Sequence, residues 1–409
     1  MEVMAFVGFC GGVGGVETGF RKSQWNGNTS VINGPIQRTR ACGYGLNMSV
    51  APSETKKGSD LRFRKLGDSD LLVPEICLGT MTFARQNTLE EGFQQMDTAF
   101  EFGVNFIDTA EMYPVPIQDG SKWGETEKVV GKWMKTKNRD DIILATKVAG
   151  AGRSMSYVRG GPRVDRKNIR EAVHGSLKRL EIDTIDLLQI HWPDRYVPMF
   201  GSRQYDITQE REAVPIETQL EAMQELIDEG KVRYIGLSNE TAFGVCEFCR
   251  IAELNNLPKV VSIQNSYSLL HREFESALAE ACAPSNYNVP LLAYSPLAGG
   301  ALTGKYNQGK VPENARFNLF PNYMTRFQES LSMEAVREYV KLAQKYDMSP
   351  STLALAFARA QWFNISSIIG ATNLEQLQEN LKAFSVTLSD EIIDEINAIH
   401  KRYRDPPLM

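Results

Sequence analysis

Eight times between residues 76 and 383, a short apolar run gives way to a stretch with helical spacing, and that alternation limits the possible folds more than anything else in the chain. The runs are Ile76–Gly79, Phe106–Ile107, Ile142–Ala145, Ile185–Ile190, Val232–Gly236, Val260–Ile263, Pro290–Ala293 and Ile365–Ile369. The helical stretches after them are Leu89–Phe102, Thr126–Lys135, Asp165–Leu180, Thr218–Asp228, Phe243–Leu254, Phe274–Ala281, Glu334–Ala360 and Leu374–Ala383. Strict alternation implies parallel strands joined by right-handed crossovers. Eight such units predict an α/β fold, a closed (β/α)8 TIM barrel, with long loops on its catalytic face. An open doubly wound sheet is the alternative. It needs a glycine fingerprint after its first strand, and Leu78-Gly79-Thr80-Met81-Thr82-Phe83 has none. Gly11-Gly12-Val13-Gly14-Gly15 is glycine-rich, but no strand leads into it. Leu61–Arg64 and Leu71–Val73 flank Gly67-Asp68-Ser69-Asp70 and read as a hairpin ahead of the barrel.

The 409 residues divide into two regions, 1–57 and 58–409. The first is rich in Gly, Ser, Thr and Asn, and before Glu54 its only acids are Glu2 and Glu17, against Arg21, Lys22, Arg38 and Arg40. Low acidity with scattered arginines suits an organelle transit peptide, and Gln37–Cys42 resembles the processing sites of chloroplast precursors. A chloroplast address is the expectation, with mitochondrion or cytoplasm as alternatives. The second region is the barrel.

A net charge of −5 and a pI near 5.7 disfavour a nucleic-acid surface, and no run of eighteen apolar residues suggests a membrane span. Six scattered cysteines read as reduced thiols rather than a disulfide framework. Cys246-Glu247-Phe248-Cys249 falls inside a helical stretch, and zinc would need a second ligand pair that is absent nearby.

In a barrel, all strands open at their carboxyl ends onto one face. The second strand ends in Asp108 with Tyr113 close behind, the third ends in Ala145-Thr146-Lys147, and the fourth ends in Gln189-Ile190-His191-Trp192-Pro193. Any one of these has an ordinary structural explanation. Their joint arrival on consecutive strand ends points to proton donation to a carbonyl oxygen. An ammonium beside a phenol is expected to lower its pKa from about 10, a carboxylate keeps the ammonium charged, and a histidine orients the carbonyl.

These stretches resemble the aldo-keto reductases over Leu61 to about His400. The matching segments are Asp108–Tyr113, Ala145–Lys147, Leu188–Asp194, Ile235–Asn239, Ile263–Leu270, Tyr294–Gly300 with Leu302–Tyr306, and Ile369–Asn373. The resemblance is nearest the Tas-like branch, beside potassium-channel β subunits, in a plant plastid-type form. It implies Tyr113 as proton donor, Lys147 lowering its pKa, Asp108 holding Lys147 and His191 orienting the substrate. It also implies NADP(H) across the barrel mouth, with Ser238, Asn239 and Gln264 on the nicotinamide carboxamide and Tyr294 stacked on its ring. Ser295, Leu297, Gly299 and Lys305 would follow the pyrophosphate, and Gly370, Thr372, Gln376, Glu379 and Asn380 the adenosine. Arg316 is the candidate for the 2′-phosphate, since no basic residue sits near Thr372. Loops 149–163 and 195–215 are expected to wall a pocket for a small carbonyl substrate, with Trp192 and Tyr196 as contacts, and 307–323 to cover the cofactor. The function implied is NADPH-dependent reduction of aldehydes or ketones. The alternative is a cofactor-sensing regulatory subunit with slow turnover.

Overall fold

The computed structural model describes residues 61–116, 122–152, 155–307 and 311–408, and the leader read in 1–57 lies outside them. A hairpin comes first, with β1 (Phe63–Lys65) antiparallel to β2 (Leu72–Pro74). Eight parallel strands follow: β3 (Ile76–Gly79), β4 (Phe106–Asp108), β5 (Ile143–Val148), β6 (Ile185–Ile190), β7 (Val232–Ser238), β8 (Val260–Ser266), β9 (Leu291–Tyr294) and β10 (Asn364–Ile369). They pair in sequence order, and β10 closes on β3 to complete the barrel.

Both faces of these strands are covered, so they read as nearly continuous apolar runs; all six residues of β6 are buried. Successive side chains still alternate between the helical ring and the barrel interior. Ile107, Leu144 and Leu188 pack outward on helices, whereas Phe106, Ala145 and Leu187 form an apolar layer inside the barrel with Leu66, Leu71 and Val73 of the hairpin. The hairpin thus floors the barrel at the amino ends of its strands. Two residues along each strand from that layer stand Asp108, Lys147 and Gln189, all buried. An apolar layer below and a polar one above follow from a period of two in three neighbouring strands.

The helices begin at recognisable caps. Thr88 and Glu91 form a capping box ahead of Leu89–Glu101, and Asp165, Thr241, Asn373 and Ser389 each accept a hydrogen bond from a first-turn amide. Two stretches differ from the sequence reading. The single stretch expected over 334–360 is two helices, Ser330–Lys345 and Pro350–Ala360, because Asp347 is left-handed (φ 51°) and Pro350 opens a new helix behind the Ser349 cap. A further helix, Asp390–Arg402, buries Ile392, Ile396 and Ile399 and was not read from the sequence. Among the described residues, no helix is long and apolar enough to cross a membrane.

Candidate active site

The polar layer of the barrel forms one connected cluster. Lys147 is wholly buried, and its Nζ donates to Asp108 Oδ2 at 2.6 Å, to the Thr109 carbonyl at 2.8 Å and to the Tyr113 hydroxyl at 3.3 Å. The other Asp108 oxygen accepts from Gln264 Nε2 at 2.8 Å and Gln189 Nε2 at 3.2 Å, and Gln264 also donates to Gln189 Oε1 at 3.1 Å. His191 meets Tyr113 edge to face, with ring centroids 5.7 Å apart, and lies 4.8 Å from the Trp192 ring. Four side chains from three consecutive strand ends therefore meet where the sequence brought them together.

The phenol differs from expectation in one respect. Its pKa is raised well above the ordinary value, first by burial, then by the Asp108 charge, with the Tyr323 and Tyr294 phenols adding to it. The expected net lowering by Lys147 is not seen, because burial and the Asp108 charge outweigh it. Tyr113 is consequently a protonated phenol at neutral pH.

A cavity of about 840 Å³ opens above this cluster. Asp108, Tyr113, His191, Trp192, Ser238, Asn239, Gln264 and Tyr294 line its inner part. Ser295, Leu297, Gly299, Lys305 and Arg316 continue it, with Gly370, Thr372, Gln376, Glu379 and Asn380 at the last strand end. Lys147 stands behind the lining. Tyr196 is not among the lining residues; its ring packs on Tyr205 at 5.4 Å, so the expected substrate contact from this loop is corrected. Phe200, four residues further, lines the cavity in its place.

Strand ends at the mouth carry unusual backbone. Asn239 (φ 52°) follows β7 and Ser295 (φ 55°) follows β9, conformations that surrounding contacts must hold. Asn239 Nδ2 donates to the His191 carbonyl at 2.8 Å and its Oδ1 accepts from the Tyr294 hydroxyl at 2.6 Å. At the opposite end, Gln376 Oε1 accepts from the Thr372 amide and hydroxyl, Asn380 donates to the Gly370 carbonyl, and Glu379 accepts from Ser349 at 2.6 Å.

An extended dinucleotide fits this donor set. Lys305 and Arg316 face the cavity, neither forms an ion pair among the described residues, and the pKa of Lys305 is lowered by burial and by Arg316 beside it. Two crowded cations in a partly desolvated site complement phosphate groups. Among the described residues, no group of three or more His, Cys, Asp or Glu could hold a metal ion. Burial pushes the Cys249 thiol up to about 12, far from the low pKa of a reactive cysteine.

Sequence reasoning did not single out Gln189, Met81, Tyr323 or Arg326, although each touches the cluster or lines the cavity. Gln189 had a legible signal, a polar residue on the inward phase of an apolar strand. The other three lie in loops without periodicity.

The closed barrel, with its buried acid–base cluster under a cavity rimmed by cations, defines a (β/α)8 oxidoreductase. The chain belongs to the aldo/keto reductase family, whose model matches residues 75–401. It is 44% identical over 349 residues to "Protein tas" of Escherichia coli (strain K12), covering 85% of this chain and 99% of that protein. An "Aldo-keto reductase" of Babesia bovis is 41% identical over 278 residues, covering 65% of this chain and 98% of that one. A rice protein named "Probable voltage-gated potassium channel subunit beta" (Oryza sativa subsp. japonica) is 32% identical over 352 residues, 83% of this chain and 96% of that one.

Proposed function

We propose that the protein is an NADPH-dependent carbonyl reductase that converts aldehydes or ketones to alcohols. The observation that carries this reading is the meeting of the Tyr113 hydroxyl, the Lys147 ammonium and the His191 ring beside one cavity. NADPH, which Lys305 and Arg316 would help to hold, would supply the hydride to the carbonyl carbon. Tyr113 donates its phenolic proton to the carbonyl oxygen as negative charge develops there. Lys147, paired with Asp108, stabilises the phenolate that remains, and His191 orients the oxygen toward the phenol. Gln189 and Gln264 hold Asp108 from its other side, so the ion pair keeps its place as the phenol changes charge. Trp192, buried with its indole nitrogen donating to the Ala151 carbonyl, presents a fixed apolar wall that keeps water from the carbonyl. Lys305 and Arg316 support NADP over NAD, with Arg316 taking the 2′-phosphate.

The test is loss of NADPH absorbance with a panel of aldehydes. Tyr113→Phe is expected to lower kcat by ~10²–10⁴-fold with cofactor affinity unchanged, the usual worth of a general acid. Full activity in that variant would remove Tyr113 from the chemistry.

The similarity to the potassium-channel subunit beta of rice favours a second reading, a cofactor-sensing regulatory subunit. It predicts turnover much slower than cofactor exchange and a stoichiometric protein partner in co-purification. Rapid multiple turnover with no such partner decides for the reductase.

A further inference from the structure

Beyond Lys305 and Arg316, a third cation lines the cavity, and nothing in the cofactor reading uses it. Arg326 is 8% exposed and sits in the one-turn segment Thr325–Phe327. Its Nε is buried without a hydrogen-bond partner, and the side chain makes no ion pair among the described residues. One terminal nitrogen donates only a long bond, 3.4 Å, to the Phe200 carbonyl. Its stem packs on Gly201 (φ +114°) of the loop after β6, where a Cβ would meet Arg326 Cβ and Cδ at an ordinary 3.4 Å.

A buried guanidinium with an unsatisfied donor is costly unless something completes its hydrogen bonds. The cavity's own acids do not. Asp108 is paired with Lys147, and Glu379 accepts from Ser349 at the far end. The neighbours of Arg326 tie it to the loop after β6. It bonds Phe200, in the loop that follows His191 and Trp192, and lies three residues from Tyr323, whose phenol acts on Tyr113 and whose hydroxyl reaches Met81 Sδ at 3.7 Å. Arg326 thus shares the cavity wall with Phe200 of the loop that follows His191 and Trp192.

We infer that the carbonyl substrate carries a carboxylate, and that Arg326 binds it while Tyr113 addresses the carbonyl. The inference rests on the reductase reading and adds the substrate's charge to it. A single guanidinium with free donors matches one monoanion through a forked pair of hydrogen bonds. A phosphate dianion would call for a second cation beside Arg326, and the other two cavity cations are placed for the cofactor.

The experiment compares 4-carboxybenzaldehyde with its methyl ester, which keeps the aldehyde and removes the charge. The wild-type protein is expected to prefer the acid. Arg326→Met is expected to raise KM for the acid by about 10–100-fold, the worth of a hydrogen bond to a charged group, with KM for the ester and the NADPH dissociation constant unchanged. Equal effects on both substrates, no effect on either, or weaker NADPH binding with an unaltered acid-to-ester ratio would each overturn the inference. Should Arg326→Met fail to fold, Arg326→Lys takes its place; a reduced acid preference is expected, and an unchanged one overturns the proposal. Calorimetric titration of benzoate into the NADP-bound protein, tight in the wild type and weakened by either substitution, decides the matter without turnover. If neither aldehyde is reduced, the reductase reading fails, while the benzoate titration still decides whether Arg326 binds carboxylates.

Discussion

Asp108 is the residue to which the others answer, since an ammonium and two amides converge on its two oxygens. Replacing Gln189 by Leu removes one of those donors and one of the two acceptors of Gln264. Turnover is expected to fall roughly tenfold, the worth of one hydrogen bond to a charged group, with near-normal stability by thermal melting. The phenol sets a pH dependence of definite sign. Its pKa is raised, so the proton it donates is retained to higher pH than in a free tyrosine. Reduction is expected to stay flat from about pH 6 to 9, below the ordinary phenol value near 10. A falling limb inside that window, absent in Tyr113→Phe, would contradict the raised value. What was legible at this scale was the set of residues rather than their electrostatics. Asp108, Lys147 and His191 could be found because strands have period two and end on one face. The direction of the Tyr113 shift could not, because it is set first by burial and then by the Asp108 charge, and the depth of burial of a loop residue is not carried by any sequence pattern. Arg326 and Tyr323 were hidden for another reason: their loop has no repeat from which a facing direction follows.

Single elements show how local preference and packing compete. Gly131 sits inside the helix Glu125–Met134, where alanine would favour the helix by about 1 kcal/mol. A Cβ at that position would stand 2.4 Å from the Leu180 carbonyl oxygen and 2.7 Å from its carbonyl carbon and Cα, so the backbone of the next helix would have to move. Overpacking of this kind costs about 1–3 kcal/mol, and Gly131→Ala is expected to destabilise the protein in denaturant titrations despite its better propensity. The loops after β5 and β6 are joined by Asp194, which accepts from Arg163 and from the Val164 and Val214 amides. Burial opposes its charge, but those hydrogen bonds prevail and hold its pKa below 3.8. The unfolded chain therefore binds a proton at Asp194 before the folded one does, and the stabilisation present above that value is lost as pH falls below it. Asp194→Ala is expected to cost about 1–3 kcal/mol at pH 7, since the Val164 and Val214 amides lose their acceptor while the half-exposed Arg163 turns to water, and to flatten the acid limb of the melting temperature. These loops had been expected to wall the pocket. Among the described residues of 149–163 and 195–215 only Phe200 lines it, whereas Tyr196 packs on Tyr205, because the direction of a loop side chain is set by such neighbours and not by spacing.

For the molecule as a whole, the eightfold alternation specified the barrel, and the hairpin was legible in its turn residues, but its place as the floor was not. The split at Asp347 and the final helix were not read, although Ile392, Ile396 and Ile399 stand at helical spacing behind the Ser389 cap. The ring closes where β3 meets β10, and Glu75 marks that seam. It is 4% exposed, pairs with Arg62 of the hairpin at 2.8 Å and Arg359 of the helix Pro350–Ala360 at 2.9 Å, and its carbonyl accepts from the Ser367 amide. Glu75→Ala leaves the largely buried Arg359 guanidinium without its carboxylate, while the half-exposed Arg62 turns to water. The substitution is expected to lower unfolding stability by about 3–5 kcal/mol in a single cooperative transition. A separate early transition of the hairpin alone would show that the floor and the ring are not one unit.

That seam also dictates the order in which a ribosome can deliver this protein. Until Ile369 has emerged, β3 and β9 are unpaired margins of an open sheet, with backbone donors and acceptors available to any neighbouring strand. A product terminated before β10 would thus be a sticky, half-made cylinder, and chaperone dependence during synthesis should fall sharply once the last strand is out.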